Sequence, residues 1–254
     1  MEGTIPPEIS LLAKSLQSFE VHQQLQLKGT IPSVVGLLTK LTGLILSVTD
    51  IVGTIPTELG QLQSLQVLQF VVAPIQGHIP SEIGRLYNLS TVFVGRTDLT
   101  GSVPGELYEL PGLQLLAIHE CPGLATDYIL QEVIHNAKQL RLLGLSGQSS
   151  ESALSIPSEL GKLTELELLY LEDWTNHGTI PSEIGHLTKL TTLDLNANSI
   201  SGILPSEVFE LTEGTLPPAL FSKLSHLQLI SISDNMFSGT VPTEVGQLSD
   251  LRTL

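Results

Sequence analysis

Histidine, cysteine and carboxylate side chains are the groups in this chain that could do chemistry. Its seven histidines include no i,i+4 pair and no H-E-x-x-H, the helical spacing of a zinc protease. His119 and Cys121 are near neighbours, but two ligands are too few for a zinc site. Gly144-Leu-Ser-Gly-Gln is not a nucleophile elbow, because Gln148 stands where G-x-S-x-G needs its last glycine. We therefore predict no catalytic residue, no metal site and no cofactor.

Charge and composition narrow the classes of partner. The chain has 254 residues, of which 11 are basic and 26 acidic, a net charge of −15 with no basic run. Nucleic acids and anionic lipid surfaces bind clustered lysine and arginine, so we expect neither as a partner. The sequence has no run of about 18 apolar residues, so we expect no direct membrane insertion by this segment. Cys121 is the single cysteine, which excludes an intrachain disulfide.

A four-residue phrase, G-x-(I/L/V)-P, recurs along the chain. A degenerate copy, LSIP, begins at Leu154, and most copies are spaced 24 residues apart. Self-similarity at a fixed period of this size is the signature of a repeat architecture. The intact copies begin at Gly3, Gly29, Gly53, Gly77, Gly101, Gly178, Gly202, Gly214 and Gly239.

A second pattern, L-x-x-L-x-x-L-x-L, lies between these copies. Its closing L-x-L has a period of two and predicts a short strand with one buried face, while the spacing of three before it suits a tight, helix-like or 3₁₀ return. About seven buried apolar side chains at roughly 2 kcal/mol each do not offset the ordering of a whole unit at about 1.5 kcal/mol per residue. Neighbouring units must therefore stack and share a core, which predicts a solenoid. The pattern is clear at Leu38/Leu41/Leu44/Leu46, Leu62/Leu65/Leu68/Phe70, Leu86/Leu89/Val92/Val94, Leu110/Leu113/Leu116/Ile118 and Leu187/Leu190/Leu193/Leu195.

One complete unit, GTIPSEIGHLTKLTTLDLNANSISG at 178–202, carries a family resemblance. It resembles the plant-type leucine-rich repeat, L-x-x-L-x-x-L-x-L-x-x-N-x-L-x-G-x-I-P-x-x-(I/L)-G-x. Such repeats are typical of the ectodomains of receptor-like kinases, receptor-like proteins and polygalacturonase inhibitors. The resemblance covers nearly the whole chain and implies an α/β repeat solenoid. The implied shape is a right-handed superhelix with a parallel β-sheet on the concave face and an irregular, 3₁₀ or short-helical convex side.

The chain departs from that family after the strands, where the family has an asparagine that forms a buried hydrogen-bonded ladder. Only Asn198 and Asn235 match. A buried backbone group left unpaired costs about 1–3 kcal/mol, so waters or hydroxyls must replace the asparagines elsewhere. We expect the N-terminal half to be less regular for this reason. The remaining ladder positions hold Thr49, Ala73, Thr97, Cys121, Gln148 and Trp174.

Residues 1–254 are expected to form a single leucine-rich-repeat solenoid of about ten repeats, truncated at both ends. The sequence begins and ends inside a repeat, without the polar caps that a solenoid needs, which favours a fragment. Self-association through open ends is the alternative.

The repeat at 121–145 lacks the G-x-I-P phrase and differs in kind. It resembles the cysteine-containing or ribonuclease-inhibitor type of repeat, which carries a true helix. Thr126 or Asp127 would be the N-cap of that helix. Its apolar residues fall on one helical face, which consists of Ile129, Leu130, Val133, Ile134 and Ala137.

An irregularity at 202–220 repeats the phrase after only 12 residues, at Gly202 and again at Gly214. Either a strand has been lost between two fused repeats, or a small insertion enlarges one repeat. A gap in the sheet would leave ladder hydrogen bonds unmade. We therefore predict that the strands before and after it pair directly, and that the extra half-repeat lies on the loop or convex side.

Strand side chains that point away from the core are the candidate ligand-binding residues. Phe93 and Tyr170 are the expected anchors, because aromatic residues dominate interface hot spots. Asn88-Leu89-Ser90 is the single N-x-S/T sequon and marks Asn88 as a glycosylation candidate. The candidate binding set is Ile45, Gln69, Val71, Phe93, His119, Tyr170, Glu172, Asp194 and Asn196.

Three functions remain open at this point. The first is a non-catalytic recognition module, part of a receptor-like cell-surface protein in signalling, that binds a protein or peptide ligand on its concave face. The second is a secreted hydrolase inhibitor similar to polygalacturonase inhibitors, and the third is an intracellular scaffold. The family resemblance implies the extracellular face of a membrane protein, and a cytoplasmic location is the alternative.

Overall fold

The structure is a computed structural model that describes residues 3–125, 129–147, 155–173, 177–205 and 226–254. The chain divides into two compact units, Met1–Thr126 (unit 1) and Asp127–Leu254 (unit 2). In both units successive strands pair in parallel, and short helical turns connect them.

Unit 1 is built on a parallel sheet whose strand order follows the sequence. β3, β4, β6 and β9 pair without any register shift, whereas the pairing of β2 with β3 shifts between Gln24 and Lys28. The strands of this sheet are β1 (Gly3–Thr4), β2 (Ser18–Thr30), β3 (Gly43–Val52), β4 (Val67–Val71), β6 (Thr91–Gly95) and β9 (Leu115–His119). Two small parallel pairs, β5 with β7 and β8 with β10, consist of β5 (Gln76–Gly77), β7 (Asp98–Leu99), β8 (Gly101–Ser102) and β10 (Leu124–Ala125).

Unit 2 repeats the arrangement, and its main strands also pair in sequence order. They are β11 (Leu142–Ser146), β12 (Leu168–Tyr170), β14 (Thr192–Asp194) and β16 (Leu229–Ser231). A second small sheet consists of β13 (His177–Gly178), β15 (Ser199–Gly202) and β17 (Met236–Phe237). The prediction that the strands on either side of the doubled phrase pair directly is confirmed, because Leu193 of β14 lies in register with Ile230 of β16. Residues 206–220 of the irregular segment 202–220 lie outside the described residues, and so does the prediction that the extra half-repeat lies on the loop or convex side.

Among the described residues, the returns between strands are 3₁₀ helices and two α-helices, α1 (Gly105–Tyr108) and α2 (Ile129–Asn136). Each 3₁₀ helix begins after the proline of a repeat phrase, such as Pro56 or Pro80, whose backbone is extended. Proline has a fixed φ and no N–H, which suits the point where an extended chain turns. The 3₁₀ helices are Pro7–Leu12, Ser33–Leu37, Thr57–Gln61, Ser81–Arg85, Ser158–Lys162, Ser182–His186 and Thr243–Gln247.

The leucine pattern builds the core as predicted. The paired L-x-L residues, such as Leu44 with Leu46 and Leu68 with Phe70, are buried in their strands. The four apolar side chains of α2 that share one helical face are buried, and so is Ala137 directly after the helix. Thr126 and Asp127, the two N-cap candidates of that helix, lie outside the described residues.

A glycine on the return side lets neighbouring repeats approach closely. A Cβ built on Gly60 would lie 2.6 Å from the carbonyl oxygen of Glu82 and 2.8 Å from its Cβ, both in the next repeat. Real Cβ atoms do not come so close to backbone atoms. The glycine in the repeated E-x-G of the returns is therefore required by stacking.

A left-handed residue lies within β3 and directly after β4, β6 and β9. Val48, Val72, Arg96 and Glu120 have φ between 46° and 55°, although none of them is glycine. The backbone stabilises this conformation across repeats, since Val72 N donates to Gly95 O at 2.9 Å and Arg96 N donates to His119 O at 2.9 Å. These bonds hold the strand ends together whether or not an asparagine follows.

The asparagine ladder forms where the residue is present. Asn198 Nδ2 donates to Leu171 O in the preceding repeat at 2.6 Å and to Leu195 O in its own at 2.9 Å. Asn235 Nδ2 donates in the same way to Leu195 O at 2.8 Å and to Ile232 O at 3.1 Å. Ladder positions Gln148 and Trp174 lie outside the described residues.

In unit 1 a hydroxyl and a thiol occupy two ladder positions, and Thr97 Oγ1 lies 3.3 Å from Cys121 Sγ. Thr49 Oγ1 is buried with no partner among the described residues. The expectation that this half is less regular is wrong for β3, β4, β6 and β9, which pair over five residues at each step. Backbone hydrogen bonds suffice to keep their register.

Candidate functional site

The solvent-facing side of the main sheet in unit 1, which we call the unit 1 strand face, carries five of the candidate residues. Register aligns Ile45, Gln69, Phe93 and Ala117 side by side on β3, β4, β6 and β9. Two residues further along the strands, Ser47, Val71, Gly95 and His119 form a second row. Ile45, Gln69, Val71, Phe93 and His119 are all partly exposed. The column assignment made from the repeat period is therefore the one that the sheet adopts.

Phe93 and His119 are in ring contact. Their centroids lie 5.2 Å apart with the ring planes at 72°, an edge-to-face arrangement. Such a pair is worth about 0.5–1.5 kcal/mol beyond its buried area and holds both rings in place. Burial lowers the pKa of His119, and the nearby carboxylate of Glu120 opposes that shift only in part. The uncharged imidazole is thus favoured, and the pair presents a largely apolar surface.

Gly95 leaves a notch beside this ring pair. A Cβ placed on Gly95 would lie 3.5 Å from His119 Cβ and 3.7 Å from Phe93 Cε2, which are ordinary contact distances. Val71 lies in register with Gly95 on β4, across from His119 on β9. The notch is therefore bordered by carbon atoms of Phe93 and His119 and by the backbone carbonyl oxygen of His119 at 3.6 Å. We did not single out Gly95 from the sequence, although the 24-residue period places it in the outward row.

An ion pair lies just beyond the same strand ends. The guanidinium of Arg96 donates to both carboxylate oxygens of Glu120, from Nε at 2.9 Å and from Nη2 at 2.8 Å. This two-pronged hydrogen bond lowers the pKa of Glu120. Both side chains are more than half exposed, so the pair adds little to stability. It borders the strand face with one charge of each sign.

The unit 2 strand face, the solvent-facing side of β11, β12, β14 and β16, is more polar. Register aligns Gly144, Tyr170, Asp194 and Ser231 in one row. Tyr170 is partly exposed, and so are Asp194 and Glu172. The aromatic anchor of this unit thus lies next to a carboxylate, whereas Phe93 lies next to aliphatic and amide groups.

Asn196 organises the polar side chains of unit 2. Its Nδ2 donates to Ser231 Oγ, and its Oδ1 accepts from Ser233 N at 2.8 Å and from Ser233 Oγ at 2.9 Å. Its backbone N–H donates to Asp194 Oδ1 at 3.1 Å. Asn196 thus positions its neighbours through both ends of its amide, and the bond to Ser231 uses one of its two Nδ2 hydrogens.

The remaining candidates have separate positions. Asn88 is exposed in the turn before β6, and its Nδ2 donates to Gln63 O at 2.7 Å in the preceding repeat. His119 and Cys121 lie on opposite sides of the strand end, since Cys121 is buried and donates to His119 O at 3.2 Å. Within the described part of the chain, no three His, Cys, Asp or Glu side chains are arranged to hold a metal ion. None of the described helices is long and apolar enough to cross a bilayer.

These features define a leucine-rich-repeat solenoid with repeats of the plant type. A family model described as Leucine Rich Repeat matches residues 189–211 and 226–248. A comparison with the curated proteins finds no match.

Among solved structures, the chain is similar to a plant peptide hormone receptor, RGFR1 in complex with RGF2, with 31% identity and a TM-score of 0.77 over 98% of this chain. It is also similar to the leucine-rich-repeat ectodomain of the Arabidopsis receptor kinase HAESA in complex with an N-terminally extended IDA peptide hormone, with 25% identity and a TM-score of 0.73 over 99% of this chain. A Leptospira interrogans leucine-rich-repeat protein, LIC12759, is 26% identical with a TM-score of 0.70 over all of this chain. The chain spans 36%, 43% and 63% of the lengths of these three proteins, respectively.

Proposed function

We propose that this chain is a non-catalytic recognition module that binds a peptide or an extended protein segment on its strand faces. The observation that carries the proposal is the aligned row Ile45, Gln69 and Phe93, with Phe93 held against His119. Rigid aromatic side chains beside apolar residues supply the buried anchors on which interfaces depend. Two similar structures are complexes with peptide hormones, which supports the proposal that this chain binds a peptide.

The two strand faces suit different kinds of ligand side chain. Unit 1 offers a neutral surface with a notch for a small apolar side chain at Gly95. Unit 2 offers Tyr170 beside Asp194, which suits a residue with a hydrogen-bond donor or a positive charge. We further propose that the chain belongs to a receptor-like cell-surface protein. That role predicts a membrane span in the complete gene product, which the full-length transcript would reveal.

The test uses the whole chain and a phage-displayed library of linear peptides. Peptides enriched on the wild-type chain are synthesised, and their affinities are measured by calorimetry for wild type, for Phe93→Ala and for Tyr170→Ala. A hot-spot aromatic contributes about 2 kcal/mol or more, so we expect at least one variant to lose about 30-fold in affinity. Tyr87→Ala is the control, because Tyr87 is 64% exposed and lies in a turn outside the strand faces. If no peptide is enriched, or if Tyr87→Ala has the same effect, the proposal is wrong.

Inhibition of a secreted hydrolase is the second candidate function. It is favoured by the partly exposed carboxylates Asp194 and Glu172, which could face a basic cleft on an enzyme. Charged residues at the rim of an interface mainly change the rate of association with the partner. In that case the same variants would alter inhibition of a secreted enzyme, and the peptide library would yield no binder.

A further inference from the structure

A groove of unit 2 lies between α2 and the 3₁₀ helix Ser158–Lys162 and plays no part in the proposed peptide site. Its volume is about 510 Å³. Gln131, His135 and Lys138 line one wall, and Pro157, Glu159 and Lys162 line the other. Small-molecule sites typically have volumes of about 300–1,000 Å³, so the groove can hold a small ligand.

Two lysines give this groove a positive charge that the protein does not neutralise with ion pairs. Among the described residues, Arg96, Arg141 and Lys189 each pair with a glutamate of the next or preceding repeat, but Lys138 and Lys162 form no ion pair. The net charge of the chain is −15, yet these two lysines line the same groove. Lys138 follows α2 and Lys162 ends the 3₁₀ helix, so the two lysines enter the groove lining from the two segments that flank it.

Glu159 is the carboxylate in the groove lining, and local donors engage it. Ser158 Oγ donates to its Oε2 at 3.2 Å. A hydrogen bond from its own backbone N–H is the largest cause of its lowered pKa, followed by the bond from Ser158. Lys162 contributes less to that shift. The described lining of the groove thus has one carboxylate, Glu159, against two lysines.

The rest of the lining combines the apolar side chains of Ile134 and Pro157 with the polar side chains of Gln131 and His135. A lysine ammonium offers three N–H donors and no acceptor, and the amide of Gln131 and the imidazole of His135 can donate as well. Two ammonium groups from the two flanking segments suit a tetrahedral dianion, whose oxygens point in several directions, better than a planar carboxylate.

We propose that this groove binds a phosphate group, as inorganic phosphate or as the ester of a small metabolite, between Lys138 and Lys162. The two lysines hold the phosphate oxygens, while Gln131 and His135 donate from the α2 wall. This proposal is independent of peptide recognition, since none of these residues lies on a strand face.

The test is a chemical-shift titration of the isotope-labelled whole chain at constant ionic strength, with inorganic phosphate, glycerol 1-phosphate and acetate as probes. We expect saturable shifts of α2 amides with both phosphates and weaker ones with acetate. Tighter binding of glycerol 1-phosphate identifies an ester as the ligand, and binding of inorganic phosphate that is equal or tighter identifies the free anion.

Two variants in the groove and one control variant test whether Lys138 and Lys162 bind the phosphate. Lys138→Gln and Lys162→Gln should each weaken phosphate binding by about tenfold, since a charged hydrogen bond is worth about 1.5–3 kcal/mol. Lys40→Gln removes the same charge from an exposed position in unit 1 and should leave affinity unchanged. Equal weakening by all three variants, acetate binding as tight as phosphate binding, or no saturation in the wild type would overturn the proposal.

Discussion

The hydroxyl oxygen of Thr97 lies 3.3 Å from the sulfur of Cys121, one repeat further along the chain. Both side chains are buried, and the thiol also donates to His119 O at 3.2 Å. Burial raises the pKa of Cys121, so the thiol keeps the proton that this bond needs. A short series of hydrogen-bonded polar groups thus connects two repeats at the position where the plant-type repeat has asparagine.

The first prediction compares two buried threonines at equivalent positions of different repeats. Thr97→Val removes a hydrogen-bonded hydroxyl and should lower the free energy of unfolding by about 1–2 kcal/mol. Thr49→Val removes a hydroxyl that has no partner among the described residues, so it should be neutral or raise stability by up to about 1 kcal/mol. Urea unfolding followed by circular dichroism measures both. Equal losses in the two variants would contradict the hydrogen-bond assignment.

The second prediction concerns the stacking of the returns. Gly60→Ala would place a methyl group 2.6 Å from the Glu82 carbonyl oxygen, so we expect a loss of stability. Overpacking of this kind costs about 1–3 kcal/mol. Gly105→Ala is the matched control, because no atom lies within 4 Å of its Cβ position and alanine favours the first turn of α1. The same urea measurement should show Gly105→Ala to be neutral or stabilising.

The third prediction is a dependence of stability on pH through His119. The folded state lowers the pKa of His119, so near pH 6.5, where an unfolded histidine titrates, the unfolded chain binds more protons than the folded one. Stability should therefore fall as the pH drops from about 7, and this loss should be complete once the pH is below the folded pKa. His119→Phe keeps an aromatic ring against Phe93 without a titrating group. Its stability curve between pH 7 and pH 5 should be flatter than that of the wild type, and curves of identical slope would exclude His119 as the source.

The fourth prediction separates peptide binding from folding at Gly95. Its φ is outside the left-handed region and a methyl group fits at contact distance, so Gly95→Ala should preserve or raise stability, by up to about 1 kcal/mol. The same methyl group fills the notch beside Phe93 and His119. Library peptides that bind the wild type should lose about tenfold in affinity for this variant, the equivalent of about 1.4 kcal/mol. If those peptides lose affinity for Phe93→Ala but not for Gly95→Ala, the peptide-binding proposal is supported and the assignment of a notch at Gly95 is wrong.

The repeat period predicted most of the fold because it determines which side chains are buried. Leu44 and Leu46 are the closing pair of one repeat, and Ile45 between them must face outward, so the sequence also predicted the rows of the strand faces. The period could not predict the hydrogen bonds of the Asn196 amide with Ser231 and Ser233, because those bonds span an irregular repeat of 37 residues. It also could not show that Val48 and Val72 adopt left-handed backbone, which valine ordinarily avoids.

The groove that we propose binds phosphate could not be predicted from the sequence, for a similar reason. Lys138 follows the atypical helix, and Lys162 ends the 3₁₀ helix of the next repeat. They occupy different positions of their repeats, so no periodic pattern links them. Only the packing of α2 beside that 3₁₀ helix shows that they face one groove.

The direct pairing of β14 with β16 has a consequence for how such chains can change. Leu193 and Ile230 are neighbours in the sheet although 37 residues separate them in sequence, while most other neighbours are separated by 24. Strand pairing thus follows the order of the strands and does not depend on the length of chain between them. Insertions and deletions in the returns can accumulate without shifting the rows of outward residues. A protein built in this way can gain or lose segments at one surface while the ligand specificity encoded on another surface is inherited intact.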